Sequence, residues 1–136
     1  MKHVTLFVIA AMAFFVSSFT IITADNWLAD AGHSHLGFTL KHMNIADFHG
    51  SFSSWEGKIT STKPDLSDAV VDFSGDINSI YTGVSGRDEH LQSADFFDAA
   101  KYPKFTFQST SFKKTGDNEY AVKGNLSFHG VTKEIT

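Results

Sequence analysis

Apolar residues alternate with small or polar ones through most of this chain, and that period of two constrains the fold more than any other feature. Leu36, Phe38 and Leu40 alternate with Gly37, Thr39 and Lys41. The pattern returns at Val71, Phe73 and Ile77, at Phe105 and Phe107, and at Tyr120, Val122, Leu126 and Phe128. Successive side chains of a strand point to opposite faces, so each run predicts a strand with one buried face. Phe48, Gly50 and Phe52 also alternate, but Trp55, Gly57 and Ile59 continue on the opposite parity, which predicts a bulge or bend at Ser53-Ser54. Glycines inside the runs, at Gly37, Gly50, Gly57, Gly75 and Gly124, predict sharp coiling of the sheet. Turns are expected at Lys63-Pro64-Asp65, at Thr115 to Asn118 and at His129-Gly130. The runs amount to about six strands, the last beginning at Val131.

One stretch breaks the rhythm. From Gly86 to Ala100 the apolar residues Leu91, Ala94, Phe96, Phe97 and Ala100 lose the period of two, and Ser85 and Asp88 are residue types that cap helix N-termini. A short helical insertion around residues 85–100 is expected, ended by Tyr102-Pro103. Several strands, few helices and no β-α-β rhythm predict an all-β antiparallel sheet, either closed as a barrel or packed as a sandwich. An inner face built largely of Phe favours a barrel with something inside it, because bulky rings pack loosely unless a partner fills the gaps.

The N-terminus reads Met1-Lys2-His3 and then runs from Val4 to Ile22 without a charge, which are the n-region and apolar h-region of a secretory signal. Export is expected, with cleavage after Ala24 and a single domain over residues 25–136; an uncleaved anchor is the alternative, since the apolar run approaches the roughly 18 residues that span a bilayer. Residues 1–24 hold Lys2 and no acid, so the remainder carries 10 basic and 15 acidic residues, a net of −5. Such a balance excludes a nucleic-acid partner, which needs clustered Lys and Arg. The chain has no cysteine, which removes disulfides, thiolate nucleophiles and zinc knuckles. About 110 residues must therefore be held by their core alone.

Several short pieces, in order and at consistent spacing, carry a family resemblance. They are Trp27 to Asp30 with His33-Ser34, Phe38 with Lys41-His42-Met43, Gly50-Ser51-Phe52 with Gly57, and Ser79 to Gly83. Beyond these come Arg87-Asp88 with His90-Leu91, Ser93 with Asp95-Phe96-Phe97-Asp98, Tyr102-Pro103, Phe107 with Ser109-Thr110, and Gly124-Asn125-Leu126 leading to Gly130 through Lys133. From Trp27 onward the chain resembles the YceI-like, polyisoprenoid-binding, lipocalin-like family of exported bacterial proteins. The resemblance implies an eight-stranded antiparallel barrel whose lumen holds a long prenyl chain, such as that of an isoprenoid quinone, or another long-chain amphiphile. It also implies a binding protein rather than an enzyme, with no covalent cofactor, residing in the periplasm or near a membrane. Members continue past the piece that matches Val131 to Thr136, so the last strands of the barrel are expected to be missing here. That would leave open edges and poor lipid retention.

The residues expected to line the lumen are Leu36, Phe38, Leu40 and Phe52; Val71, Phe73 and Ile77; Leu91, Phe96 and Phe97 at one end; and Phe105, Phe107, Val122, Leu126 and Phe128. Burying apolar carbon contributes about 0.8 kcal/mol per methylene, so a prenyl tail can be held by shape and desolvation with no conspicuous polar motif. Arg87, Asp88 and His90 could stabilise an oxyanion and move a proton, but nothing in the sequence supplies a nucleophile beside His90. The expected role of this cluster is structural, with Asp88 capping the helix while Arg87 and His90 tie it to the barrel. His33, His35 and His42 invite a metal reading, but without Cys or an H-E-x-x-H pattern no metal site is expected. A His-dependent metal protein or enzyme acting on a lipid-like substrate is the alternative function.

Overall fold

The computed structural model describes residues 23–136, so the expected signal segment lies almost wholly outside the described residues. The strands are β1 (Asp25–Leu28), β2 (Leu36–His42), β3 (Ala46–Phe52), β4 (Trp55–Ser61), β5 (Val70–Asp76), β6 (Ile80–Tyr81), β7 (Lys104–Gly116), β8 (Glu119–Phe128) and β9 (Val131–Ile135). A 3₁₀ turn, Ile77–Ser79, joins β5 to β6, and one α-helix, α1 (Ser85–Gln92), follows β6. Every strand pairing is antiparallel. One six-stranded sheet has the order β1-β4-β5-β7-β8-β9 and a three-stranded sheet has the order β2-β3-β6. Among the described residues the fold is thus all-β with one short α-helical insertion, as the alternation predicts.

The strand count differs from the six read from periodicity. β1 has four residues and β6 two, too short to display a period, and the run from Phe48 to Ile59 is two strands in different sheets. The chain crosses between sheets at Ser53-Ser54, which explains the change of parity there. Phe52 and Trp55 both face inward because each belongs to a different layer. The crossing is fastened to the β5–β6 connection: the Ser53 N–H donates to the Ser79 carbonyl (3.1 Å) and the Asp76 N–H to the Ser54 carbonyl (2.9 Å).

The buried core consists of Phe52, Ile77, Ile80, Ala99 and Phe105, the last only 5% exposed. Phe105 sits between Phe52, Phe73 and Phe128 with ring centroids 4.7, 5.8 and 5.6 Å away. Its ring also lies over Gly75, its cross-strand partner, and Phe38 lies in the same way over Gly50. A Cβ at either glycine would occupy the space of the ring. These strand glycines therefore serve close approach of an aromatic ring to backbone, a device that fixes register.

The β4–β5 connection is organised by Asp68. Its carboxylate accepts the Ser61 hydroxyl (2.5 Å), the Thr62 hydroxyl, and the backbone N–H groups of Thr62 (3.2 Å) and Lys63 (3.3 Å). The Ser61 and Thr62 hydroxyls hold this carboxyl far below the usual carboxylate range. A depressed folded-state value stabilises the fold fully above the unfolded value of about 4, and that stabilisation is lost as pH falls further. We expect the native chain to lose stability more steeply below about pH 4 than Asp68→Asn, measured by denaturant midpoints across pH. Parallel curves would contradict the assignment.

Candidate functional site

Cross-strand partners share a face, so the register defines one apolar surface running across both sheets. On the small sheet Leu36 faces Phe52, Phe38 faces Gly50 and Leu40 faces Phe48. On the large sheet Ile59 faces Val71, Phe73 faces Phe107, Phe107 faces Leu126 and Phe128 faces Val131. The rings connect the two layers. From Phe48 the path runs to Phe38 (6.4 Å), Phe52 (5.6 Å) and Phe105 (4.7 Å), then to Phe128 (5.6 Å) and Phe97 (5.3 Å).

Most of the expected lining residues lie on this surface. Phe52, Ile77 and Phe105 are buried within it, and Leu36, Phe38, Phe73, Leu91, Phe97 and Phe128 pack against them while keeping some exposure. Val71, Phe107, Val122 and Leu126 are half-buried along the same register rows, and Leu40 stands more exposed near the hairpin end. Phe96 departs from expectation: it is 48% exposed and meets the ring of His90 edge-on at 4.8 Å, outside the aromatic cluster. Adjacent Phe97 takes the place against Phe128 instead. Phe48, Trp55, Ile80 and Ala99 also belong to or border this surface and were not predicted. The parity of Phe48 with Phe52 was the available signal.

The charged cluster resolves around a residue the sequence did not single out. Arg87 Nε donates to Thr82 Oγ1 (2.8 Å), a terminal Arg87 nitrogen donates to the Thr82 carbonyl (2.7 Å), and the Thr82 hydroxyl donates to Asp88 (2.5 Å). The Arg87 guanidinium also lies 4.4 Å from the centroid of Phe48, a cation–π contact between α1 and β3. The capping role expected for Asp88 does not hold. Helix α1 begins at Ser85 with Val84 at the N-cap and no side-chain cap bond, and Asp88 is within the first turn. There its carboxylate complements the helix dipole while reaching back to Thr82. His90 is not joined to this pair; its Nε2 is 3.5 Å from Asp95. Thr82→Val and Asp88→Ala should each cost about 1 kcal/mol. Because they remove the same bond, the double variant should cost clearly less than their sum, which a denaturation cycle measures.

The imidazoles are dispersed. His33 Nδ1 pairs with Asp30 (2.7 Å), and this bond, with the Gly32 N–H, lowers the Asp30 carboxyl from its ordinary value. His49 Nδ1 meets the Thr39 hydroxyl (2.9 Å), and His35 lies over Gly37. Among the described residues no three His, Asp or Glu side chains converge as metal ligands. A shallow concavity of about 530 Å³ lies on the other face of the large sheet, where Glu56, Lys58, Asp72, Ser74 and Gln108 project, and Leu28, Phe73 and Phe107 also line it. Its groups satisfy one another: Ser74 donates to Glu56 (3.0 Å) and Gln108 to Asp72 (3.1 Å).

Known proteins share this arrangement. The sequence model of the YceI-like domain matches residues 27–136. A UPF0312 protein of Pseudomonas putida is 45% identical over 103 residues, covering 76% of this chain and 50% of the relative. Protein YceI of Salmonella newport is 35% identical over 136 residues, covering 99% of this chain and 70% of the relative. Several of the curated relatives are thus spanned for only about half their length. Among solved structures, the Campylobacter jejuni YceI protein superposes with a TM-score of 0.62 at 30% identity, covering 88% of this chain and 66% of that one. Burkholderia cenocepacia BcnA shares the fold with a TM-score of 0.71 at 22% identity, covering 78% of this chain and 66% of that one. A domain from Saccharophagus degradans described as polyisoprenoid-binding shares it at 0.53 and 19% identity, over 81% of this chain and 59% of that one. The antiparallel, lipocalin-like barrel fold and the residues that carry it agree: this chain belongs to the YceI-like family.

Proposed function

We propose that the protein binds a long apolar lipid of the polyisoprenoid or isoprenoid-quinone type along its aromatic face, as an exported, periplasmic carrier without covalent chemistry. The observation that carries this reading is the unbroken ring path from Phe48 to Phe97, flanked by half-buried Leu36, Val122 and Leu126. Family membership and the fold shared with a domain described as polyisoprenoid-binding support it. Arg87, stacked on Phe48 at one end of the face, and Asp88 are both engaged with Thr82, which favours holding over reacting. Each buried methylene adds about 0.8 kcal/mol, so a chain of several prenyl units is retained by area alone.

A polyprenyl alcohol added to the delipidated protein should bind, as seen by native mass spectrometry, whether or not a lipid survives purification. A protein that is reproducibly free of lipid and ignores prenyl chains of every length tried would defeat the proposal.

A further inference from the structure

The hairpin joining β2 to β3 ends in a three-residue turn, Met43 to Ile45, in which Met43 and Asn44 both have positive φ, 50° and 57°. The Ile45 N–H donates to the His42 carbonyl (3.0 Å) and closes it. Turns of this kind favour Asn-Gly or Gly-Gly, because a left-handed backbone crowds any larger side chain. Here the first position is a methionine, left 77% exposed, and Ile45 beside it is 87% exposed. The tip therefore combines an unfavourable backbone with two large apolar side chains in water, and neither contributes to the core. Isolated exposed apolar residues need no explanation, but these two adjoin an apolar surface. Behind them Leu40, 46% exposed, faces Phe48, and Phe48 begins the ring path into the core.

We propose that this tip docks on a lipid bilayer, with Met43 and Ile45 entering the acyl boundary and Leu40 and Phe48 forming the mouth through which cargo passes. The inference rests on the lipid-carrier reading, since a carrier whose mouth abuts the bilayer spares an apolar chain from crossing water. Charge on the page decides the kind of surface. Beside the tip Lys41 is neutralised by Asp47 (2.8 Å), and the chain as a whole carries a net charge of −4. Attraction to anionic headgroups is thus not the driving force, and docking is by apolar insertion, weakly sensitive to salt.

The test uses the exported form from Asp25 onward, so that the apolar run from Val4 to Ile22 cannot itself carry the protein to the membrane, with phosphatidylcholine vesicles in a flotation assay, compared with a Met43→Ser/Ile45→Ser variant. Both substituted positions are exposed, so circular dichroism should match. Wild type should float with the vesicles, and the variant's partitioning should fall by about tenfold or more, the loss expected from two inserted apolar side chains. In detergent solution the two proteins should bind a polyprenyl alcohol equally. Equal flotation of variant and wild type, or no flotation of either, overturns the docking. So does an affinity of the tip only for a protein partner. Tip-dependent flotation in a protein that ignores prenyl alcohol would uphold docking and defeat the carrier reading, while prenyl binding without flotation would do the reverse.

Discussion

Phe105→Ala should destabilise the protein by about 3–5 kcal/mol, the range found when a large buried ring is truncated. Phe105 is 5% exposed and touches three other rings, drawn from both sheets. Its loss removes the contact with Phe52 that fastens the three-stranded sheet to the six-stranded one. Total stabilities of domains this size are about 5–15 kcal/mol, so a large part of the fold's margin depends on one ring. Urea unfolding followed by circular dichroism checks this. A cost near that of an exposed substitution would mean that the two sheets are joined elsewhere.

Gly75→Ala should cost about 1–3 kcal/mol, although alanine ordinarily suits a strand at least as well as glycine. The reversal comes from the ring of Phe105, which covers Gly75 so closely that no Cβ fits beneath it. Either the ring leaves its place between Phe52, Phe73 and Phe128, or β5 and β7 separate. The two changes should therefore not add. In a Phe105→Leu background the added methyl has room, and Gly75→Ala should cost much less there. Additive costs would show that the glycine is required for another reason.

The strands were legible where one face is buried over several residues, as at Leu36-Phe38-Leu40 and Tyr120-Val122, because burial imposes a period that composition reveals. The partition into two sheets was visible only as the parity change at Ser53-Ser54, which a bend within a single sheet explains equally well. The turn at Met43-Asn44 carries no sequence signal because it lacks the glycine that normally marks positive φ, and at Thr115 to Asn118 the positive φ falls on Asn118 rather than Gly116. Asp88 illustrates a different limit. Its residue type and position suit an N-cap, but helix α1 starts three residues earlier and Thr82 offers a stronger partner across the β6–α1 connection. Phe96 and Phe97 could not be told apart from sequence, since only the turn after α1 decides which of two adjacent rings faces inward.

The central claim is that lipid lies on the aromatic face, and photo-crosslinking addresses it most directly. A polyprenyl probe carrying a diazirine along its chain is bound to the delipidated protein, irradiated, and its adducts mapped by peptide mass spectrometry. Adducts are expected on the face that bears Phe38, Phe52, Val122 and Leu126. Adducts confined to the polar concavity around Lys58, Asp72 and Gln108, or none above those of a non-binding control protein, would contradict it.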